Sequence, residues 1–421
     1  MMRITDTMKN NQLLRNTMRH QQEFDKIQDQ LSTGRRIRRP ADDPSAATNQ
    51  MYFRTRVQEL DQFDNNLMHA QNRLNLVDGQ LASATDILQR LRVLAVQGAN
   101  GTYQGERGED LEAIATEIDQ HLRQLIEIGN QRDGTGRFLF AGHSLERPPF
   151  EAVQANIRGL NGVELENQIV SVKYQGDIGK QLREVDRNQY LDVNIPGNQV
   201  FWATNMTVTG AVDASGYRAT TDQAFRIDGN EIRVAAGDTV DDIIDKINSA
   251  NLEVKATKIG QDNLSLHTTS PHQVWLEDLN GGTVLQDLGL VNTNKTEPPN
   301  NFADAARVSG LSLFDAVAKL RDDLLAGDQL EIGGRDLANL DEAIGNLLRH
   351  RSEVGARQNR VTEHEQRVSW DKTHMQELLA NSEGIDIPET IVNLKWLETI
   401  NQYALNVGAR IIKPQLMDFL R

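Results

Sequence analysis

A chain of 421 residues with a formal charge of -15 has room for two or three domains with sizeable cores. Its summed field repels a phosphate backbone unless basic residues are segregated, which argues against a generic polyanion binder. It contains no cysteine, which removes disulfides, thiolate metal sites and cysteine nucleophiles. No apolar stretch resembles a signal peptide or a membrane span, which leaves cytoplasmic residence or export by a route without a cleaved apolar signal.

Residues 8–31 carry Met8, Leu14, Met18, Phe24, Ile27 and Leu31 at near-helical spacing. So narrow a stripe makes a weak isolated helix that needs another surface to bury against. The next stretch, LSTGRRIRRPADDPSAA (31–47), sets Arg35, Arg36, Arg38 and Arg39 before Asp42 and Asp43. It reads as a nucleic-acid contact, a charged hinge or a packing device. Without aromatic stacking residues or a long basic stripe, solvated or intramolecular pairing is favoured. Gly34 supplies a helix stop, and Asp43 is placed to cap a new helix with Pro44 in its first turn, where the missing proline amide has no intrahelical use.

The strongest pattern follows. Leu60, Phe63, Leu67, Ala70, Leu74, Val77, Leu81, Ala84, Leu88, Leu91 and Ala95 alternate spacings of three and four, a coiled-coil or long-bundle seam of about five heptads. Glycines mark 97–108 as a loop, after which Leu111, Ile114, Ile118, Leu125 and Ile128 resume the seam in a short return helix, with His121 as a tolerated or hydrogen-bonded bundle residue. From 134 the character changes: Phe138, Leu139 and Phe140 read as a strand, and 151–300 is rich in Gly, Asn, Asp and Thr. Strand-like runs occupy 168–174, 225–234 and 252–259. Asp228-Gly229 marks a hairpin turn within the second, and 239–249 reads as a short helix with Val240, Ile243, Ile244 and Ile247 on its apolar side.

Helical periodicity returns near Leu311 and becomes a seam again at Leu337, Leu340, Ile344, Leu347, Val354 and Val361, softened by Arg351 and Gln358. After the breaker 381–388, a last helix carries Ile391, Leu394, Leu397, Ala404, Val407 and Ile411. The two ends mirror each other, so the chain goes out and comes back. The predicted class is α+β, with a long helical coiled-coil or bundle rod from the N- and C-terminal segments and a central β-rich insertion. The expected division is 1–43 with 385–421 as a terminal helical assembly region, 44–135 with 305–384 as the rod, and 136–304 as the insertion, subdivided near 220. No phosphate loop, HExxH helix or dinucleotide turn is present. His364 has one histidine to offer, and His267 with His272 reads as a surface pair lacking further ligands. No catalytic, cofactor or metal site is expected.

With those residues in place, a resemblance enters. LSTGRRIRRPADDPSAA (31–47), LAVQGANGTY (94–103), GRFLFAGHSLERPPF (136–150) and FRIDGNEIRVAAGDTVDDIIDKIN (225–248) resemble flagellin-family axial proteins, as do 385–411 and LMDFLR (416–421). The terminal matches stand at both ends in the family's order, and the junction members of the family are the most similar. Pro40 and Pro44 make the turn more rigid than the version common in flagellins. The resemblance implies a secreted, non-enzymatic structural subunit of the hook-filament junction. Its implied partners are hook-associated protein 1, flagellin, further copies of itself in a helical ring, a cytoplasmic export chaperone and the flagellar type III export apparatus. Neither nucleic-acid binding nor direct membrane insertion is implied. Its implied location is the flagellum, extracellular by default or periplasmic where the flagella are, and transiently cytoplasmic before export. The insertion would face outward, and the expected interface comprises Leu14, Met18, Phe24, Ile27, Leu31, Arg36, Arg39, Ile391, Leu394, Leu397, Ala404, Val407 and Ile411. A flagellin or minor filament subunit, and a coiled-coil scaffold with a β-rich binding insert, stand as alternatives.

Overall fold

The computed structural model describes residues 6–37, 39–100, 109–144, 146–158, 164–260, 262–292 and 297–411. Chain order begins with helices α1 (Asp6–Thr33), α2 (Pro44–Ala99) and α3 (Glu109–Gly129). Then come β1 (Phe150–Arg158), β2 (Glu164–Tyr174), β3 (Leu182–Asp186), β4 (Gln189–Asp192), the short α4 (Gly197–Val200) and β5 (Thr207–Thr209). They are followed by β6 (Gln223–Ile227), β7 (Asn230–Val234), α5 (Val240–Ser249), β8 (Val254–Ile259), β9 (Asn263–Thr268), β10 (Leu276–Leu279), α6 (Val284–Asp287) and β11 (Arg307–Ser309). The return path is α7 (Leu313–Ala326), α8 (Gln329–Glu331), a π-turn (Ile332–Asp336), α9 (Leu337–Glu383) and α10 (Ile387–Ile411). Long helices from both ends with a β-rich region between them make the chain α+β, the class its periodicity predicts. It divides into two compact units, 1–65 with 365–421 and 66–364.

The 56 residues of α2 span roughly 84 Å at the usual helical rise. Every seam position from Leu60 to Ala95 is nearly or fully buried, because alternating steps of three and four hold one stripe along the helix. Within 66–364, α9 runs antiparallel beside it. Arg92 Nε donates to Asp341 at 2.6 Å, Arg351 Nε to Asp78 at 3.2 Å and Gln358 Nε2 to Asn75 at 2.9 Å, so the residues that soften the seam cross-link the two helices at its edge. The buried line of α9 is Leu340, Ala343, Leu347, His350, Val354, Val361 and His364; Leu337 and Ile344 are half-buried beside it. In α3, Ala115 and Leu122 join Leu111, Ile118 and Leu125 in the core, while Ile114 and Ile128 sit half-buried. His121 is hydrogen-bonded as expected, with Nδ1 3.0 Å from Gln124 Oε1. The loop expected over 97–108 lies, from 101 onward, outside the described residues.

All strand pairs in the insertion are antiparallel: hairpins β1-β2 and β3-β4, a three-stranded sheet in the order β10-β6-β7, and a four-stranded sheet in the order β11-β5-β9-β8. The β6-β7 turn is Asp228-Gly229, with φ of 49° and 81°, the doubly positive pair a two-residue hairpin demands. Thr239 caps α5 through a reciprocal box with Asp242, and Val240, Ile243 and Ile247 enter the core between these sheets with Phe225, Leu266 and Leu276. Phe138–Phe140 corrects a prediction: they are fully buried but form no strand, only a single bridge between Arg132 and Phe138. Arg132 lies over the Phe138 ring at 4.4 Å, and Phe140 joins an aromatic cluster. Phe140 meets Phe201 edge-on at 5.0 Å, and Phe150 lies 4.8 Å from Phe314 and 5.3 Å from Tyr174. Gly142, at φ +70°, lets this segment approach Asp177, whose carbonyl oxygen would lie 2.4 Å from any Cβ there.

Candidate assembly surfaces

Within 1–65 and 365–421, the arginine-rich corner is built from backbone outward. Gly34 leaves α1 at φ +67° with its N–H on Gln30 O at 2.8 Å, the left-handed stop that glycine allows. The chain then makes one antiparallel bridge, Arg35 to Gly384, and Arg36 N–H donates to Glu383 O at 2.7 Å. Arg54 Nε donates to Glu383 Oε1 at 2.6 Å and Arg35 Nε lies 3.5 Å from Oε2, so one carboxylate gathers two guanidinium groups. Gln50, buried, donates to Ser382 O at 3.0 Å. Asp43 Oδ1 accepts Ala46 N–H at 3.0 Å and caps α2 ahead of Pro44, as its position predicts. The corner is therefore a packing device with Ile37 at its centre, 7% exposed. Arg36 and Arg39 are both exposed; Arg39 N–H donates to Asp42 at 3.1 Å, and Arg38 lies outside the described residues.

Beyond the corner α1 packs along α10, and Asn401 Nδ2 donates to Gln21 Oε1 at 3.1 Å. Leu397 is buried; Phe24, Ile27, Leu31, Leu394 and Ala404 are half-buried. Leu14, Met18, Ile391 and Val407 are exposed. The structure thus brings the central residues of the expected interface together and leaves the outer ones facing solvent. The side chain of Ile411 and the segment 416–421 lie outside the described residues. Trp396 at 62% exposure and Tyr403 at 67% extend the uncovered apolar surface of α10. Such helices gain little from their own pairing, since most stability of an amphipathic helix comes from the face it buries.

Among the described residues no group of three or more His, Cys, Asp or Glu side chains is placed to hold a metal, and no helix is long and apolar enough to cross a membrane. His272 corrects the surface reading: it is 4% exposed, with Nε2 3.1 Å from Asp228 Oδ2 and Nδ1 2.9 Å from Ser270 O. Acceptors at both ring nitrogens favour the imidazolium. Burial works against it, yet Asp228 and the Ser270 carbonyl more than offset that, and the pKa is raised.

Two polar residues that pattern reading passed over tie elements together, Asn346 the insertion to α9 and Arg321 one helix to another. Asn346 Nδ2 faces the carbonyls of Trp202 at 2.8 Å and Gln199 at 2.9 Å. Arg321, 1% exposed, donates to Asp119 at 3.0 Å and to Asp322 at 2.7 Å, joining α7 to α3. The available signal was positional, since both stand on the apolar faces of their helices.

Comparison with known proteins places this architecture. Residues 4–144 match the bacterial flagellin N-terminal helical region, 215–270 the flagellin hook IN motif, and 337–420 the bacterial flagellin C-terminal helical region. The chain belongs to the flagellin family. Flagellar hook-associated protein 3 of Escherichia coli K12 is 26% identical over 51% of this chain and 61% of its own length. Its Salmonella typhimurium LT2 counterpart is 29% identical over 38% of this chain and 49% of its own length. The matches thus span roughly half to three-fifths of these relatives. A solved structure of hook-associated protein 3 from Legionella pneumophila is similar at 19% identity and a TM-score of 0.46, over 79% of this chain and 98% of that one. In this flagellin-family chain the corner and the α1-α10 pair fall within the matched N- and C-terminal helical regions.

Proposed function

We propose that the chain is a non-enzymatic structural subunit of the bacterial flagellar hook-filament junction, joining hook-associated protein 1 to flagellin by helical assembly. The observation that carries this reading is the α1-α10 pair, which buries Leu397 but leaves Leu14, Met18, Trp396 and Val407 uncovered. An apolar surface spread along two marginal helices is completed when neighbouring subunits cover it, and a contact between two different faces can repeat from subunit to subunit. Of the residues expected from sequence, Leu14, Met18, Ile391 and Val407 are the apolar ones left for a neighbour to cover. Arg36 and Arg39, exposed at the corner, offer charge to acidic groups of a neighbour. The likeness to hook-associated protein 3 supports a junction position over a filament one.

In this reading an export chaperone and the type III export apparatus handle the chain before assembly, in the cytoplasm. It then resides at the junction, outside the cell or in the periplasm where the flagella are periplasmic. The test is immunoelectron microscopy of purified hook-basal bodies with and without filaments. A band at the hook tip is expected; label along the filament would instead make the chain a flagellin or minor filament subunit. Retention in cells lacking the export apparatus is expected, and an unchanged cytoplasmic pool in wild-type cells with no hook-tip label would favour an internal scaffold.

A further inference from the structure

At the end of α7 the chain turns into the long return helix through a corner that the assembly reading does not use. Gly327 closes α7 at φ +70°, and Asp328 caps α8 by accepting Glu331 N–H at 3.1 Å. Residues Ile332–Asp336 then form a π-turn that runs directly into α9. A π-turn is a rare, less favourable winding found mostly where something specific holds it.

Asp336 sits at the end of that turn with its side chain fully shielded from solvent. Its Oδ1 is 3.4 Å from Lys319 Nζ, while its buried Oδ2 has no hydrogen-bond partner as an ionised oxygen. Lys319 also binds the Asp323 carboxyl of α7, so the two carboxyl groups converge on one ammonium. The remaining charges are Glu331, 3.7 Å from Lys319, and the exposed Arg335, 3.2 Å from Glu331. One ammonium therefore serves three carboxylates. Asp336 is fully out of water, where holding its charge beside the half-buried Asp323 is costly, and a proton on it turns its unpaired oxygen into a donor.

We propose that Asp336 keeps its proton beside Asp323 and forms a pH-sensitive latch that holds the π-turn at the start of the return helix. Burial first, then the hydrogen bond and repulsion from Asp323, push the Asp336 carboxyl up to about 7, against the pull of Lys319. Because the folded value lies above that of an exposed aspartate, the closed corner is favoured most in acid. It loses stability as pH rises toward the folded value and changes little beyond it.

The experiment is hydrogen exchange by mass spectrometry on the full chain, corrected for intrinsic rates, under conditions where exchange reports the opening equilibrium. Protection of peptides spanning 328–340 should fall by up to about tenfold per pH unit between pH 5 and 7, then level off. Asp336→Asn should flatten that profile. Asp323→Asn, which leaves Asp336 facing an amide and Lys319, should move the fall to lower pH. A pH-independent profile in the wild-type chain would overturn the latch whether or not either variant folds. An Asp336→Asn profile parallel to wild type would overturn it equally.

Discussion

Replacing Arg321 by methionine tests whether the ion pair between α7 and α3 organises the helical base of the insertion. The guanidinium is 1% exposed, with Nη1 on Asp119 at 3.0 Å and Nε and Nη2 on Asp322 at 2.9 and 2.7 Å. Breaking a buried pair by removing one partner typically costs about 3–5 kcal/mol, because the other charge is stranded. Asp119 is not wholly stranded, since Arg123 Nε still donates to its Oδ2 at 2.8 Å; the lower end, about 3 kcal/mol, is expected. Asp322 is partly exposed and adds little. The double variant Arg321→Met with Asp119→Leu replaces the pair by apolar groups, and should recover to within about 1 kcal/mol of wild type. Urea unfolding followed by circular dichroism gives all four corners of the cycle. A single variant within about 0.5 kcal/mol of wild type, or a double variant no better than the single, would refute the reasoning, since uncoupled sites simply add.

Three further outcomes are expected. Asn346→Leu removes the donor to the Trp202 and Gln199 carbonyls and should cost about 2 kcal/mol or more in the same assay, the price of leaving buried acceptors unpaired. His272 has a folded pKa above its free value, so its contribution is complete below about pH 6.5 and is lost as pH rises through the folded value. His272→Gln should abolish that component between pH 6 and 9, and an unchanged slope would sink the assignment. Deleting 385–421 removes the whole of α10 and with it the partner of α1; hook tips should then carry no subunit, and normal occupancy in micrographs would contradict the proposed role.

The legible parts of the fold are those in which local pattern and tertiary burial agree. The α2 seam was readable because each step of three or four falls on a buried position, and Asp228-Gly229 because few residue pairs tolerate two positive φ angles. Phe138–Phe140 misled because a short apolar run reports burial without reporting conformation; Phe140 is covered by Phe201, distant in sequence. His272 was read as a surface group because its partner Asp228 is 44 residues away, a distance over which spacing carries no information. Arg321 and Asn346 interrupt apolar faces, and periodicity treats such interruptions as noise when they are the polar points around which a core is registered. At the corner, Gly34 and the Asp43-Pro44 cap were readable as local signals. The gathering of Arg35 and Arg54 by Glu383 was not, because it joins opposite ends of the chain.

The pairing of α1 with α10 also sets an order of events. Gln21 and Asn401, joined side chain to side chain, are 380 residues apart, and closing a flexible loop of that length costs about 5 kcal/mol by the logarithmic rule. Two helices with so little buried surface gain too little to meet that cost from an extended chain. Once 66–364 has folded, α2 and α9 stand side by side there, and the effective loop shrinks to the short arms that remain. The α1-α10 pair is therefore among the last parts of the chain to close, after the strands and helices of 66–364.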